Sequence, residues 1–265
     1  MLTYRVQAYN TAHSSENKIH DDVVARRLGF SGALVPGVDV YAYMMHLPVR
    51  RWGRAFLERG WAQCRLASPV YDGETVEVAG REDGDALLLE ATSRGIRCAT
   101  GSARLPARAA AAPALERFPP AGLPDPACRP EAIPATLPVG ACLGSLHLQA
   151  SAELVAGYLR EVRETDDLYA RENLAHPGTV LRTCNLALIR NVLLGPWIHV
   201  GSTVQNHGLA RVGETLTARP RVSANYERKG HLFVELDVLV LSEVERPVAR
   251  VEHIAIYRPR QTAAC

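Results

Sequence analysis

Ser15-Glu16-Asn17-Lys18-Ile19-His20 and, after a short helical segment, Gly29-Phe30-Ser31-Gly32-Ala33-Leu34-Val35-Pro36-Gly37-Val38-Asp39-Val40-Tyr41-Ala42-Tyr43-Met44 form the stretch whose reading decides the fold. A polar turn carrying Asn17 and His20 is followed by a Pro-Gly pair that opens an apolar run. The apolar residues Val38, Val40, Tyr41, Ala42, Tyr43, Met44, Met45 and Leu47 leave no polar stripe, so the pattern predicts a helix buried on all sides. Such an arrangement pairs a titratable imidazole with a helix N-terminus, where free backbone N–H groups can hold a developing oxyanion.

Around this stretch the pattern is regular. Residues 3–10 alternate like a strand, and the turn His13 to Asn17 follows. Asp21 and Asp22 open a short helix whose apolar face is Val23, Val24 and Leu28 and which Gly29 ends. The apolar helix is expected over Val38 to Glu58, with Pro48 kinking or interrupting it. Strands are expected over 61–70, 74–80, 85–93 and 96–105, separated by Asp72-Gly73, Asp83-Gly84 and Gly95 at hairpin spacing. An antiparallel run of this kind needs one face covered, and the apolar helix is the element able to cover it.

From Pro106 to Pro138 the chain turns to Ala and Pro, and so many prolines predict a semi-extended linker rather than a core element. Beyond it the organisation repeats: a strand over Leu146 to Ala150, a helical pattern over Glu153 to Ala170, the loop Ala175-His176-Pro177-Gly178, and an apolar helix from Val180 to Leu194. Strands follow over 199–207, 214–224, 231–241 and 247–257. Asp21-Asp22-Val23-Val24-Ala25-Arg26 aligns with Asp166-Asp167-Leu168-Tyr169-Ala170-Arg171, and Gly73-Glu74-Thr75-Val76 with Gly213-Glu214-Thr215-Leu216. The chain therefore reads as an internal duplication: a unit over 1–105, a linker over 106–138 and a second unit over 139–265. Two one-sided sheets of this kind can pair edge to edge, each capping the other's open strand as a pseudo-dimer.

Composition narrows the partners. With 30 basic and 28 acidic residues the formal charge is +2, which gives no broad drive toward nucleic acid or anionic membrane. The start of the chain alternates like a strand and lacks the apolar core of a signal peptide, and no apolar run reaches the roughly 18 residues of a membrane helix. Cys64, Cys98, Cys128, Cys142, Cys184 and Cys265 are scattered without a C-x-x-C pair, so neither a zinc site nor a disulfide scaffold is expected. These features point to a cytoplasmic protein with reduced thiols.

The sequence resembles the MaoC-like hydratase/dehydratase family. In that family the site loop reads Asp-x-Asn-Pro-x-His, followed by Gly-Phe and then Ala-His-Gly at the start of the central helix. Asn17, Ile19, His20, Asp22, Gly29-Phe30 and Gly37 match in the first half. Tyr158, Asp166, Tyr169-Ala170 and Ala175-His176 match in the second, with Gly178 nearby. The resemblance implies an α+β double hotdog fold, with two antiparallel sheets each wrapped around a long central helix. It also implies an acyl thioester of CoA or of an acyl carrier protein as substrate, with no cofactor besides the CoA or phosphopantetheine of the substrate itself. The departures are specific. Ser15 stands where the family has its catalytic Asp, Lys18 where it has Pro, and Pro36 where it has His. The second half has no Asn-x-x-His, since Glu161 to Asp166 reads Glu-Val-Arg-Glu-Thr-Asp. One site is therefore expected, in the first half, with the second half lending surface to an acyl or pantetheine chain.

Hydration of a 2-enoyl thioester needs a base for water, an acid for C2 and donors for the thioester oxygen. His20 supplies an imidazole that titrates near neutrality. Asn17 can orient water, and the amides of Gly37 and Val38 can form the oxyanion hole. Glu16, one residue from the expected acid, and Asp39, just inside the helix, are the carboxylates that can take the missing acid's place. Ser15, Tyr41 and His176 are candidates for substrate contact. The ordinary alternatives are a water-holding Ser15, a core-packed Tyr41, a His176 set against the central helix and a solvated Glu16. Arg50, Arg51, Arg54, Arg182 and Arg190 are available to CoA phosphates, and none is singled out. The leading expectation is an enoyl-thioester hydratase or 3-hydroxyacyl-thioester dehydratase. The alternatives are a hotdog thioesterase using Glu16 or Asp39, and an acyl-thioester-binding partner protein that has lost the catalytic Asp. A homodimer is open besides the intramolecular pseudo-dimer.

Overall fold

The computed structural model describes residues 1–13, 15–27 and 29–260. The readings of Ser14, Leu28 and Cys265 fall outside these residues. The first half runs β1 (Leu2–Gln7), α1 (Asp22–Arg27), α2 (Gly37–Trp52), α3 (Arg54–Arg59), β2 (Trp61–Leu66), β3 (Thr75–Asp83), β4 (Ala86–Ser93) and β5 (Ile96–Arg104). The second runs β6 (Leu146–Gln149), α4 (Ala152–Glu161), α5 (Leu168–Glu172), α6 (Pro177–Asn191), β7 (Ile198–Asn206), β8 (Thr215–Arg228), β9 (His231–Leu241) and β10 (Pro247–Arg258).

The strands form one antiparallel sheet in the order β1-β3-β4-β5-β2-β7-β10-β9-β8-β6. The order is the same when read inward from either end, once each strand is matched to its counterpart in the other half. Two five-stranded sheets thus join at β2 and β7, where Trp61 pairs with Gln205 and Arg65 with Gly201. This joint removes one open edge from each half, which is the physical gain of keeping both copies in one chain.

Helix α2 lies in the hollow of the sheet. Its Tyr41, Tyr43, Met44 and Met45 are buried, each contributing about 1.5–3 kcal/mol of apolar burial. Pro48 does not interrupt the helix, which continues to Trp52; the break falls at Gly53, whose φ of 56° suits a residue without a Cβ. The continuous helical pattern expected over Glu153 to Ala170 is split in two. α4 ends in a left-handed turn at Arg163 (φ 55°), and Glu164 to Asp167 form a loop before α5.

The proline-rich segment is extended, with two short 3-10 turns, and it contributes to the core after all. Phe118 packs on Leu239 and Leu241, and Leu137 is fully buried. Proline excludes regular hydrogen bonding but not apolar contact, so the linker covers the outer face of β9, whose inner face meets α6. Among the described residues no helix is long and apolar enough to cross a membrane.

Candidate active site

The site loop of the first half closes a cleft of about 350 Å³ between the two halves. One wall carries Asn17, His20, Phe30 and the segment Leu34 to Gly37, with Leu66 to Val70 beside it. The other wall comes from the second half: Asn185 on α6, then Trp197 to Val200, and Ile256.

His20 sits at the end of a 3-10 turn that Asn17 caps by accepting the Ile19 N–H. Its Nδ1 lies 2.8 Å from the carbonyl oxygen of Leu34. A carbonyl only accepts, so Nδ1 carries the hydrogen and Nε2 keeps its lone pair. Burial lowers the imidazole's affinity for a proton below its ordinary value, opposed by the Leu34 carbonyl and by the more distant charge of Asp39. The result is a neutral base near pH 7 with a defined tautomer.

Asn17 is 5% exposed and acts as a clasp between the halves. Its Nδ2 donates to the Trp197 carbonyl at 3.0 Å, and its Oδ1 accepts the Trp197 N–H at 3.4 Å. The same Nδ2 stands 3.4 Å from His20 Nε2.

The first turn of α2 opens beside the imidazole. Asp39 and Val40 N–H donate back to the Pro36 carbonyl, whereas the Gly37 and Val38 N–H groups have no protein acceptor among the described residues. Gly37 is required by close approach. A Cβ there would overlap Leu66 Cδ1 and come within 2.8 Å of His199 Nδ1.

The other expected residues lie elsewhere. Glu16 points outward, its side chain 67% exposed, and pairs with Arg129 of the linker at 3.3 Å. Ser15 caps the turn by accepting the Asn17 N–H through Oγ. Tyr41 is core. Asp39 is fully buried on the far side of the helix start. It accepts from Thr11 at 2.6 Å and Tyr158 at 3.0 Å, and it meets Arg182 at 3.4 Å. No carboxylate lines the cleft among the described residues. Of the arginines, Arg51 pairs with Glu82 and Arg54 with Glu58 and Glu172.

His176 belongs to the second half's equivalent of this place, which protein fills. Its Nδ1 accepts the Gly178 N–H and caps α6, while Nε2 stands 3.4 Å from Glu164. Glu164 also bonds His46 at 2.7 Å. Burial disfavours its charge, but the adjacent His176 imidazole and the His46 hydrogen bond outweigh that and hold the carboxyl below the usual range. Tyr158 and Tyr169 pack on the His176 ring, and a Cβ on Gly178 would strike the Tyr158 hydroxyl.

RV0216, a conserved hypothetical protein from Mycobacterium tuberculosis with a double hotdog fold, superposes with a TM-score of 0.64 at 15% identity, over 96% of this chain and 95% of that one. The chain has the double hotdog fold. A MaoC-like dehydratase is similar at TM-score 0.61 and 13% identity, over 97% and 98% of the two chains. A candidate thioesterase from Novosphingobium aromaticivorans is similar at TM-score 0.53 and 11% identity, over 97% and 96%. By sequence, no family model and no curated protein matches the chain.

Within this double hotdog the second half lends a wall to the cleft, as the sequence suggested, but the sequence named none of its residues. Trp197 Nε1, His199 Nδ1 and Asn185 Oδ1 are buried without partners, and all three residues line the cleft. The alternation of β10 turns His253 inward, but that of β7 breaks at Gly201-Ser202, where a register shift at Val200 brings His199 to the same face as Ser202, so no strand-period pattern announced His199.

Proposed function

We propose that the protein is an enoyl-thioester hydratase, or in reverse a 3-hydroxyacyl-thioester dehydratase, working through His20. The observation that carries this reading is the imidazole held by the Leu34 carbonyl as a neutral base beside the open amides of Gly37 and Val38. The thioester carbonyl binds at those amides. His20 Nε2 takes a proton from water as the water oxygen bonds to C3. The C2–C3 π pair moves onto the thioester as an enolate, whose oxygen the two amides stabilise. With no carboxylate on the cleft wall among the described residues, the imidazolium returns its proton to C2, and the site is restored. The mostly apolar lining suits an acyl chain, and the carrier is CoA or a carrier protein.

Incubation with a short 2-enoyl-CoA tests this. Loss of the enoyl absorbance without thiol release is the expected result. Thiol release with the absorbance intact selects a thioesterase instead, and thermal stabilisation by acyl-CoA without turnover selects a binding protein.

A further inference from the structure

One buried imidazole in the cleft takes no part in that proton transfer. His199 on β7 is 5% exposed, and its Nδ1 has no partner. That atom lies 2.8 Å from where a Cβ on Gly37 would stand, so it flanks the first turn of α2 at the open amides. A buried imidazole nitrogen without a partner is costly, and a ligand atom placed there would recover that cost.

We propose that His199 Nδ1–H is a third donor to the thioester carbonyl oxygen, converging on it with the amides of Gly37 and Val38. This rests on the thioester reading of the site and adds a residue from the other half of the chain to it.

The surroundings of the ring suit this role. Nε2 lies 2.9 Å from Ser202 Oγ, and Ser202 Oγ lies 3.0 Å from His253 Nδ1. The single hydroxyl proton permits two arrangements. If Ser202 donates to His199, then His253 Nδ1–H donates to Ser202 and His199 Nδ1 must carry its hydrogen into the cleft. The reverse leaves Nδ1 bare. A carbonyl oxygen at the helix start selects the first arrangement, because it offers an acceptor to Nδ1–H. The ring is also held in place, stacked on His253 with centroids 4.4 Å apart. Burial pushes the His199 pKa down to about 4, so the donor is a neutral imidazole and needs no counter-charge. Positioned donors of this kind act on the charge that develops in the transition state, and the loss of one typically costs 10²–10³ in kcat.

The test is isotope-edited infrared spectroscopy of butyryl-CoA labelled with ¹³C at the carbonyl, bound to the full-length protein, alongside turnover of a 2-enoyl-CoA. The variants are His199→Asn, whose amide reaches the Nδ1 position, and His199→Gln, whose amide reaches the Nε2 position. Both keep a polar group in the buried site, and His199→Leu extends the series. The wild-type carbonyl band is expected to move to lower frequency on binding. Asn should retain most of that shift; Gln and Leu should lose it and lower kcat about 10²-fold, with KM changed far less. A wild-type shift that survives in His199→Gln overturns this proposal alone. A bound wild-type complex with no shift overturns the thioester reading and this proposal together.

Discussion

His20 Nδ1 and the Leu34 carbonyl oxygen, 2.8 Å apart, join the polar turn to the segment that leads into α2. The contact fixes both the ring's orientation and its tautomer. His20→Asn is expected to keep it, since the amide nitrogen falls where Nδ1 was, and to remove the base. Turnover should fall by about 10²–10⁴ with the unfolding midpoint nearly unchanged. In the wild type, kcat/KM should decline on the acid side with an apparent pKa below the ordinary imidazole value, because burial lowers it and the neutral form is the active one. A pH–rate profile on both proteins checks this.

Gly37 and His199 approach too closely for any side chain at position 37. Gly37→Ala should displace the His199 ring and Leu66 and misplace the helix amides. The expected outcome is a loss of activity of at least about 10²-fold, with stability lower by about 1–3 kcal/mol. Chemical denaturation and initial rates measure the two effects separately.

Glu16 and Arg129 bind each other at the surface. Glu16→Gln should change turnover less than about twofold and stability by less than about 1 kcal/mol, since Glu16 is exposed to solvent screening and Arg129 keeps the Ile189 carbonyl as a partner. Kinetics of the purified variant decide whether the carboxylate next to the expected acid position takes part in the chemistry.

These residues show what was legible in the sequence. The duplication was readable from Asp21-Asp22 against Asp166-Asp167 and from the paired Gly-Glu-Thr turns, because each copy repeats the same local demands. The placing of Asn17 and His20 beside the Pro36-Gly37 helix start was readable from their spacing. A solvated Glu16 was readable as the ordinary alternative, but its partner Arg129 was not, since the linker has no pattern that reports tertiary contact. The residues of the second wall of the cleft were hidden too, although a contribution from that half was expected. Trp197 and His199 lie far along the chain from His20, and they meet the first half only because β2 and β7 join the two sheets. A helix-period or strand-period pattern shows which face is buried, but not which distant element buries it.

Asp39, Tyr158 and Arg182 bridge the two halves behind the start of α2, with Asp39 fully buried. Asp39→Ala would leave the Arg182 charge and the Tyr158 hydroxyl short of their partner. It should destabilise the fold by about 2–3 kcal/mol. If Asp39 is a positioning residue, Asp39→Asn should recover much of the stability and retain measurable turnover. Denaturation midpoints and kcat for both variants separate that role from acid catalysis.

His199 and His253 also predict how stability depends on pH. Burial lowers the His199 pKa to about 4, against an ordinary value near 6.5. His253 is also lowered well below that value, by burial and by its stacked neighbour. In each case the folded state refuses a proton that the unfolded chain accepts. The stabilisation is therefore complete above about pH 6.5 and is lost as pH falls toward the folded-state pKa. For His199 the loss amounts to about 3 kcal/mol by pH 4, at about 1.4 kcal/mol per unit of pKa difference. Urea unfolding at pH 7, 5.5 and 4.5 should show a steady decline in stability. His199→Asn should show a shallower decline over the same range, because the asparagine does not titrate. An equal pH dependence in both proteins would mean that the buried imidazole accepts its proton in the folded state as readily as in the unfolded chain.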